Sequence, residues 1–230
     1  PVQRIRLQTL RLRQRLSWSN GSPRGISRAG TRLLPPSLHP KVWFRRCVIF
    51  YTTLIKLSLI IHGTAGSGMT EKSTARVAEH VSQCLQLAAL FEVSASPKPG
   101  NVHRMADFFD TRYEHFLASA VAAGPHFRCA AHRGIMVSKK RISPSEVGIG
   151  RVIKGAVESV GDWQRGGNTL LGTIILLSPI GVAAGMTLAK GLFSRANLRE
   201  NVKTIVRAIT PQDAVEVYDA VLAAKPGGLG

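Results

Sequence analysis

The chain has 230 residues, 44% of them hydrophobic, and a formal net charge of +18. This is a globular composition with enough apolar material for one large or two small domains. Its three cysteines, Cys47, Cys84 and Cys129, lie far apart and form no CxxC, which excludes a disulfide framework and a cysteine zinc site and fits reduced thiols in a cytoplasmic protein.

The charge is unevenly placed. Residues 1–68 hold 12 Lys or Arg and no acid, a charge of +12, whereas the remainder has 19 basic and 13 acidic residues, a charge of +6. Residues 1–68 therefore read as a basic, low-acid extension, rich in Arg, Ser, Leu and Pro and without steady periodicity, expected to be disordered or not native. Three readings of it stay open: a nucleic-acid-binding arm, an Arg-rich targeting extension, or upstream DNA translated ahead of a start at Met69. The missing initiator at Pro1 and the change of composition at GSGMTEKST favour the last. Within this segment Val48 to Ile61 is apolar, but it carries Lys56 and is shorter than the roughly 20 residues of a spanning helix.

From residue 69 to residue 230 the patterning is helical. Val77, Val81, Cys84, Ala88 and Phe91 recur at helical spacing and predict a helix from about Thr70 to Ser94, stopped by Pro97 and Pro99. Phe109, Tyr113, Phe116, Ala120 and Ala123 predict a second helix ending near Gly124-Pro125, with Asp110 and Glu114 four apart on its other face. Residues 125–142 are basic and weakly patterned and read as a loop with a short helix. Ser143-Pro144-Ser145-Glu146 has the order of a capping box and opens a third helix running to about Val160. Thr169 to Ala189 is a charge-free run of 21 residues, read as a buried core helix, with a membrane helix as the alternative. Leu198, Val202, Ile205 and Ile209 mark the next helix, and Thr210-Pro211-Gln212-Asp213 opens the last, which Lys225-Pro226-Gly227-Gly228 ends. These elements predict an all-α fold, a compact helical bundle or orthogonal helical array.

Three polar concentrations interrupt the helices. In SPKPGNVHR, Lys98 and Arg104 flank a Gly100-Asn101 bend whose amides could face an anion; a plain interhelical turn with solvated cations is the alternative. Asp107, Asp110 and Glu114 follow, either hard oxygen ligands for Mg²⁺ and a general base, or a solvated acidic face. Gly166-Gly167-Asn168-Thr169 heads the apolar helix, where free amides favour negative charge, although a helix cap alone would explain it. No P-loop, GxGxxG, HExxH or GxSxG occurs, and the histidines, His103 and His115 included, show no metal-ligand spacing.

In their order, EVSASPKPGNVHR, DTRYEHFLAS, GGNTLLGTIILLSP and KPGGLG resemble the triphosphoribosyl-dephospho-CoA synthase family over about Met69 to Gly230. The specific parts are Lys98-Pro99-Gly100 and Asn168, Thr169 and Gly172. The resemblance implies an all-helical transferase that joins ATP to 3'-dephospho-CoA and releases adenine, with both as small-molecule partners, no nucleic acid and no membrane. For that reaction the motif positions offer Lys98, Gly100, Asn101, Arg104, Gly167, Asn168 and Thr169 as expected nucleotide-binding residues, Asp107 and Asp110 as expected catalytic groups, and Asp107, Asp110 and Glu114 as expected holders of Mg²⁺. Leu170-Leu171 stands where better-known members carry a His-Lys pair, so a divergent branch is expected, incomplete at its C-terminus. A related enzyme or nucleotide-binding protein with another acceptor is the second reading.

Overall fold

The computed structural model describes residues 70–191 and 193–226. The expectations placed on residues 1–68, including Val48–Ile61, Cys47 and the start at Met69, and on Gly227-Gly228 lie outside these residues. The described residues hold seven α-helices and one 3₁₀ turn, and among them there is no strand.

Helix α1 spans Glu71–Ser94, opened by Thr70, whose side chain accepts the Ser73 N–H at 3.2 Å. Its buried face runs through Ala78, Val81, Ser82, Leu85, Ala88, Ala89 and Val93. This is rotated by about a residue from the stripe that Val77, Cys84 and Phe91 suggest, and Phe91 is 42% exposed. Small alanines face inward because a neighbouring helix backbone approaches there, a demand that side-chain hydrophobicity does not report.

Helix α2, Tyr113–Ala122, runs into α3, Gly124–Ser138, with only Ala123 between them. Two expectations are corrected here. Residues 125–142 are mostly helix rather than loop, and α2 begins at Tyr113, leaving Phe109 and Asp110 ahead of it. The buried face of α3 is Gly124, Phe127, Ala130, Ala131, Gly134 and Ile135, a helical spacing built largely from Ala and Gly.

The Ser143/Glu146 capping box forms as expected, but it opens only the 3₁₀ turn Pro144–Val147. Gly148, at φ 60, then interrupts the chain before α4, Ile149–Trp163. Helix α5, Leu171–Leu188, is the core helix; it packs chiefly on α3 and also against α1 and α4. It is long and apolar enough to cross a membrane by composition, yet 61% of it is buried inside the protein. Its crossing with α3 is backbone on backbone. A Cβ on Gly134 would stand 1.9 Å from the Val182 carbonyl oxygen, and one on Gly185 would stand 2.0 Å from that of Ala131.

Helix α6, Arg195–Arg207, packs on α5, and α7, Pro211–Ala224, packs on α4. The last capping box is genuine: Thr210 Oγ1 accepts the Asp213 N–H and the Asp213 carboxylate accepts the Thr210 N–H. Asp213 is buried, and its Oδ1 also takes the Gly150 amide of α4 at 2.9 Å. Burial opposes its ionisation, but the hydrogen bonds from Thr210 and Gly150 outweigh that and hold its pKa below the usual carboxylate value.

Candidate functional site

The site begins where α1 ends. The Lys98 carbonyl accepts the Asn101 N–H at 3.1 Å, with Pro99 second and Gly100, at φ +75, third, the residue order of a type II turn. Asn101 Oδ1 then takes the Val102 N–H at 2.8 Å, and Val102 is buried. Of the Gly100-Asn101 amides, expected to face an anion, that of Asn101 is thus engaged within the turn.

Lys98 is only 8% exposed. Its ammonium lies 2.6 Å from Glu92 Oε1 and 3.3 Å from the Glu92 carbonyl, pinning the turn to the last part of α1. An ammonium has three N–H donors, so one remains for a ligand. Arg104 sits exposed at the tip of a tight turn in which His103 and Ala106 exchange backbone hydrogen bonds of 3.0 and 2.9 Å. Neither Arg104 nor Arg112 has an ion-pair partner among the described residues.

The carboxylates are distributed differently from the expectation. Asp107 Oδ1 accepts the Tyr113 N–H at 2.8 Å and so starts α2 there. Asp110 consequently precedes the helix, and Asp110 and Glu114 do not share a helical face. All three carboxylates are exposed, and among the described residues no group of three His, Cys, Asp or Glu side chains is placed to hold a metal ion. The expected three-carboxylate Mg²⁺ set is not assembled.

The GGNT loop is braced by buried Gln164, which donates to the Gly167 carbonyl at 2.9 Å and accepts the Gly166 N–H. Gly167 takes φ +71, and Asn168 Oδ1 accepts the Leu171 N–H at 3.3 Å, capping α5. Helix α2 and the segment just ahead of it meet this loop at several points. Thr111 Oγ1 donates to the Gly166 carbonyl at 2.8 Å and lies 3.1 Å from Asp110 Oδ1. The His115 ring covers Gly166 so closely that a Cβ there would be 2.0 Å from Nδ1. Ser119 donates to the His115 carbonyl at 2.6 Å and therefore accepts from Thr169 Oγ1 at 2.7 Å. On the other side Ser94 donates to the Leu90 carbonyl, so the Tyr113 hydroxyl, 2.8 Å away, donates to Ser94.

The three polar concentrations of the sequence are thereby joined through residues to which the sequence reading gave no place in the site: Glu92, Thr111, Tyr113, His115, Ser119 and Gln164. One signal was present. His115 and Ser119, four apart on α2, share a row that faces Gly166 and Thr169, and Thr111 just precedes the helix. The resulting surface combines unpaired guanidinium groups, exposed carboxylates and a glycine loop at the start of a buried helix.

Such a fold and surface define an all-helical protein suited to a small phosphorylated ligand. The family model of CitG, ATP:dephospho-CoA triphosphoribosyl transferase, matches residues 78–230, which include every element of this site from Glu92 to Thr169. The chain belongs to this family, a family of triphosphoribosyl-dephospho-CoA synthase-type transferases that use ATP as a substrate. No match was found among curated proteins or among solved structures.

Proposed function

We propose that the chain joins ATP to 3'-dephospho-CoA, giving 2'-(5''-triphosphoribosyl)-3'-dephospho-CoA for prosthetic-group biosynthesis and releasing adenine. The observation that carries this reading is the Thr111–Gly166 hydrogen bond of 2.8 Å, which ties the Lys98–Asp110 segment to the GGNT loop within the region the family model matches. In the reaction the 2'-oxygen of dephospho-CoA bonds to C1' of the ATP ribose as the C1'–N9 bond breaks. The hydroxyl proton goes to a carboxylate, and adenine leaves with the electron pair of the broken bond and takes up a proton.

Asp107 suits the first proton transfer, because Tyr113 engages only its Oδ1. Asp110 is the alternative base. Arg104 and the spare N–H of Lys98 suit the triphosphate, with Gly100 and Asn101 setting the turn between them. Gly167, Asn168 and Thr169 line the ribose side. A second reading, a different acceptor on the same ATP half-site, is favoured by buried Leu170 and its neighbour Leu171, where the resemblance leads one to expect a polar pair.

The test is chromatographic detection of adenine with ATP, Mg²⁺ and dephospho-CoA. Adenine formed only when dephospho-CoA is present supports the named transfer. ATP bound without adenine release rejects it and leaves the second reading.

A further inference from the structure

The ring of His115 is held on one edge and open on the other. Its Nδ1 accepts the Arg112 N–H at 3.0 Å, closing the capping box at the start of α2. A nitrogen that accepts carries no proton, so in the neutral ring the proton sits on Nε2, which is a donor. A Cβ on Gly166 would lie 2.0 Å from Nδ1, 2.5 Å from Cγ and 2.8 Å from Cε1, which sets the Nδ1 corner against the GGNT loop and Nε2 on the far edge. Among the described residues no group accepts from Nε2, and no buried side-chain nitrogen or oxygen there lacks a partner, so this half-buried ring opens its N–H to solvent.

The hydroxyl protons around it are engaged. Thr111 Oγ1 donates to the Gly166 carbonyl, Ser119 to the His115 carbonyl and Thr169 to Ser119. Of these four side chains His115 alone keeps a donor for a ligand. Capping does not require that donor, since the usual Glu or Gln at this position accepts the same amide, and Glu does so with no N–H at all. The donor also lies beside the proposed chemistry. Asp107 accepts the next amide along, that of Tyr113, at 2.8 Å, so the imidazole and the carboxylate are anchored on consecutive residues at one helix start. An uncharged N–H in a half-covered place matches a neutral ring nitrogen, whereas phosphates are matched by guanidinium and ammonium groups.

We infer that the His115 Nε2–H donates to a ring nitrogen, N3 or N7, of the adenine base of ATP. This rests on the reading of the site as the ATP site of a transferase and supplies a residue for the departing base. As the C1'–N9 bond breaks, its electron pair passes into the purine ring, and a donor already aimed at that ring stabilises the charge without reorganising. The neutral imidazole keeps its own proton, and adenine takes the proton it needs from water.

The experiment measures, by titration calorimetry on the full chain, the Kd of ATP, 3-deaza-ATP and 7-deaza-ATP for the wild type, His115→Gln and His115→Glu. Gln keeps both an acceptor for the Arg112 N–H and a donor, whereas Glu keeps only the acceptor, so thermal unfolding should find both variants folded. In the wild type the analogue that lacks the accepting nitrogen should bind about tenfold more weakly than ATP. That ratio should persist in His115→Gln and fall to about one in His115→Glu. The added carboxylate repels all three triphosphates alike and leaves the ratio untouched, as would a purely structural role of the ring. A wild type that binds all three equally, or a ratio that survives in His115→Glu, overturns the inference. Adenine release should fall about a hundredfold in His115→Glu and by much less in His115→Gln. If binding shows the expected ratios but the wild type releases no adenine, the transfer reaction falls and the base contact stands. If adenine is released and the ratios are absent, the contact falls and the reaction stands.

Discussion

The two ends of α5 are built on opposite terms. Toward its C-terminal half, Gly185 and Val182 meet α3 at Ala131 and Gly134 with backbone against backbone, and the surrounding side chains are apolar and buried. At its N-terminal end, the Gly166–Thr169 loop meets α2 and the segment ahead of it through hydrogen bonds of Thr111 and Ser119 and through the His115 ring over Gly166, with guanidinium and carboxylate groups left in water nearby. The first contact leaves no space for anything else. The second holds a loop in position while keeping charge available, which is what a ligand-binding surface requires. Stability and function therefore separate along one helix, and substitutions at its two ends should separate in the same way.

The largest effect is expected at the crossing. Gly134→Ala places a methyl group against the Val182 carbonyl, where neither backbone can yield without moving a helix. A loss of about 3 kcal/mol is expected, lowering Tm by roughly 6–12 °C. Gly161→Ala in α4 is the opposite case, because a Cβ there meets nothing within 4 Å. It should leave stability unchanged or raise it by about 0.5–1 kcal/mol through helix propensity. Calorimetry of the two variants checks both signs. Equal Tm values would mean that α3 and α5 can slide apart at little cost and that the crossing is not rigid.

Next in size is the Lys98–Glu92 pair, which belongs partly to each kind of region. Lys98→Met leaves the Glu92 carboxylate without its cation in a partly covered place, at a cost of about 2 kcal/mol, discounted because Glu92 keeps some solvent. Adding Glu92→Gln should return most of that stability, since no unpaired charge remains. ATP affinity should behave differently. If the third N–H of Lys98 reaches the triphosphate, the double variant stays about tenfold weaker than wild type. Recovery of affinity together with stability would assign Lys98 to bracing the turn alone.

These expectations also mark what was readable before the structure. Helices α1, α5 and α7 announce themselves, through an apolar stripe stopped by Pro97 and Pro99, through an uncharged run too long for a loop, and through Thr210 as a cap. Helix α3 did not, because its buried face is alanine and glycine and its outer face carries Arg128, His132 and Arg133. Small residues pack closely but contribute little to a hydrophobicity pattern, so the backbone-on-backbone crossing was hard to see in the sequence. The start of α2 was misjudged because Phe109 fits the apolar stripe, whereas the local capping bond from Asp107 to Tyr113 decides where the helix begins. At the site, residue types and order were legible and partners were not. Lys98 reads as a free cation until Glu92, six residues earlier and across a helix end, is seen to hold it.

The smallest predicted effect is the most specific to the N-terminal end of α5. Thr111→Val keeps the shape of the side chain and removes only its donor, leaving the buried Gly166 carbonyl without that hydrogen bond. The stability cost should be about 1 kcal/mol, a Tm shift of a few degrees at most. Function should suffer more than stability, because the same bond sets the distance between the Lys98–Asp110 segment and the GGNT loop, and a small misplacement of a substrate-binding group lowers rate steeply. Adenine release under saturating ATP is expected to fall by roughly tenfold in Thr111→Val, with Thr111→Ser, which keeps the hydroxyl, restoring most of it. If Thr111→Val keeps wild-type activity while Thr111→Ser loses it, the methyl and not the hydrogen bond is responsible, and the Thr111–Gly166 contact is packing of the same kind as the α3–α5 crossing rather than the tie that aligns the two loops.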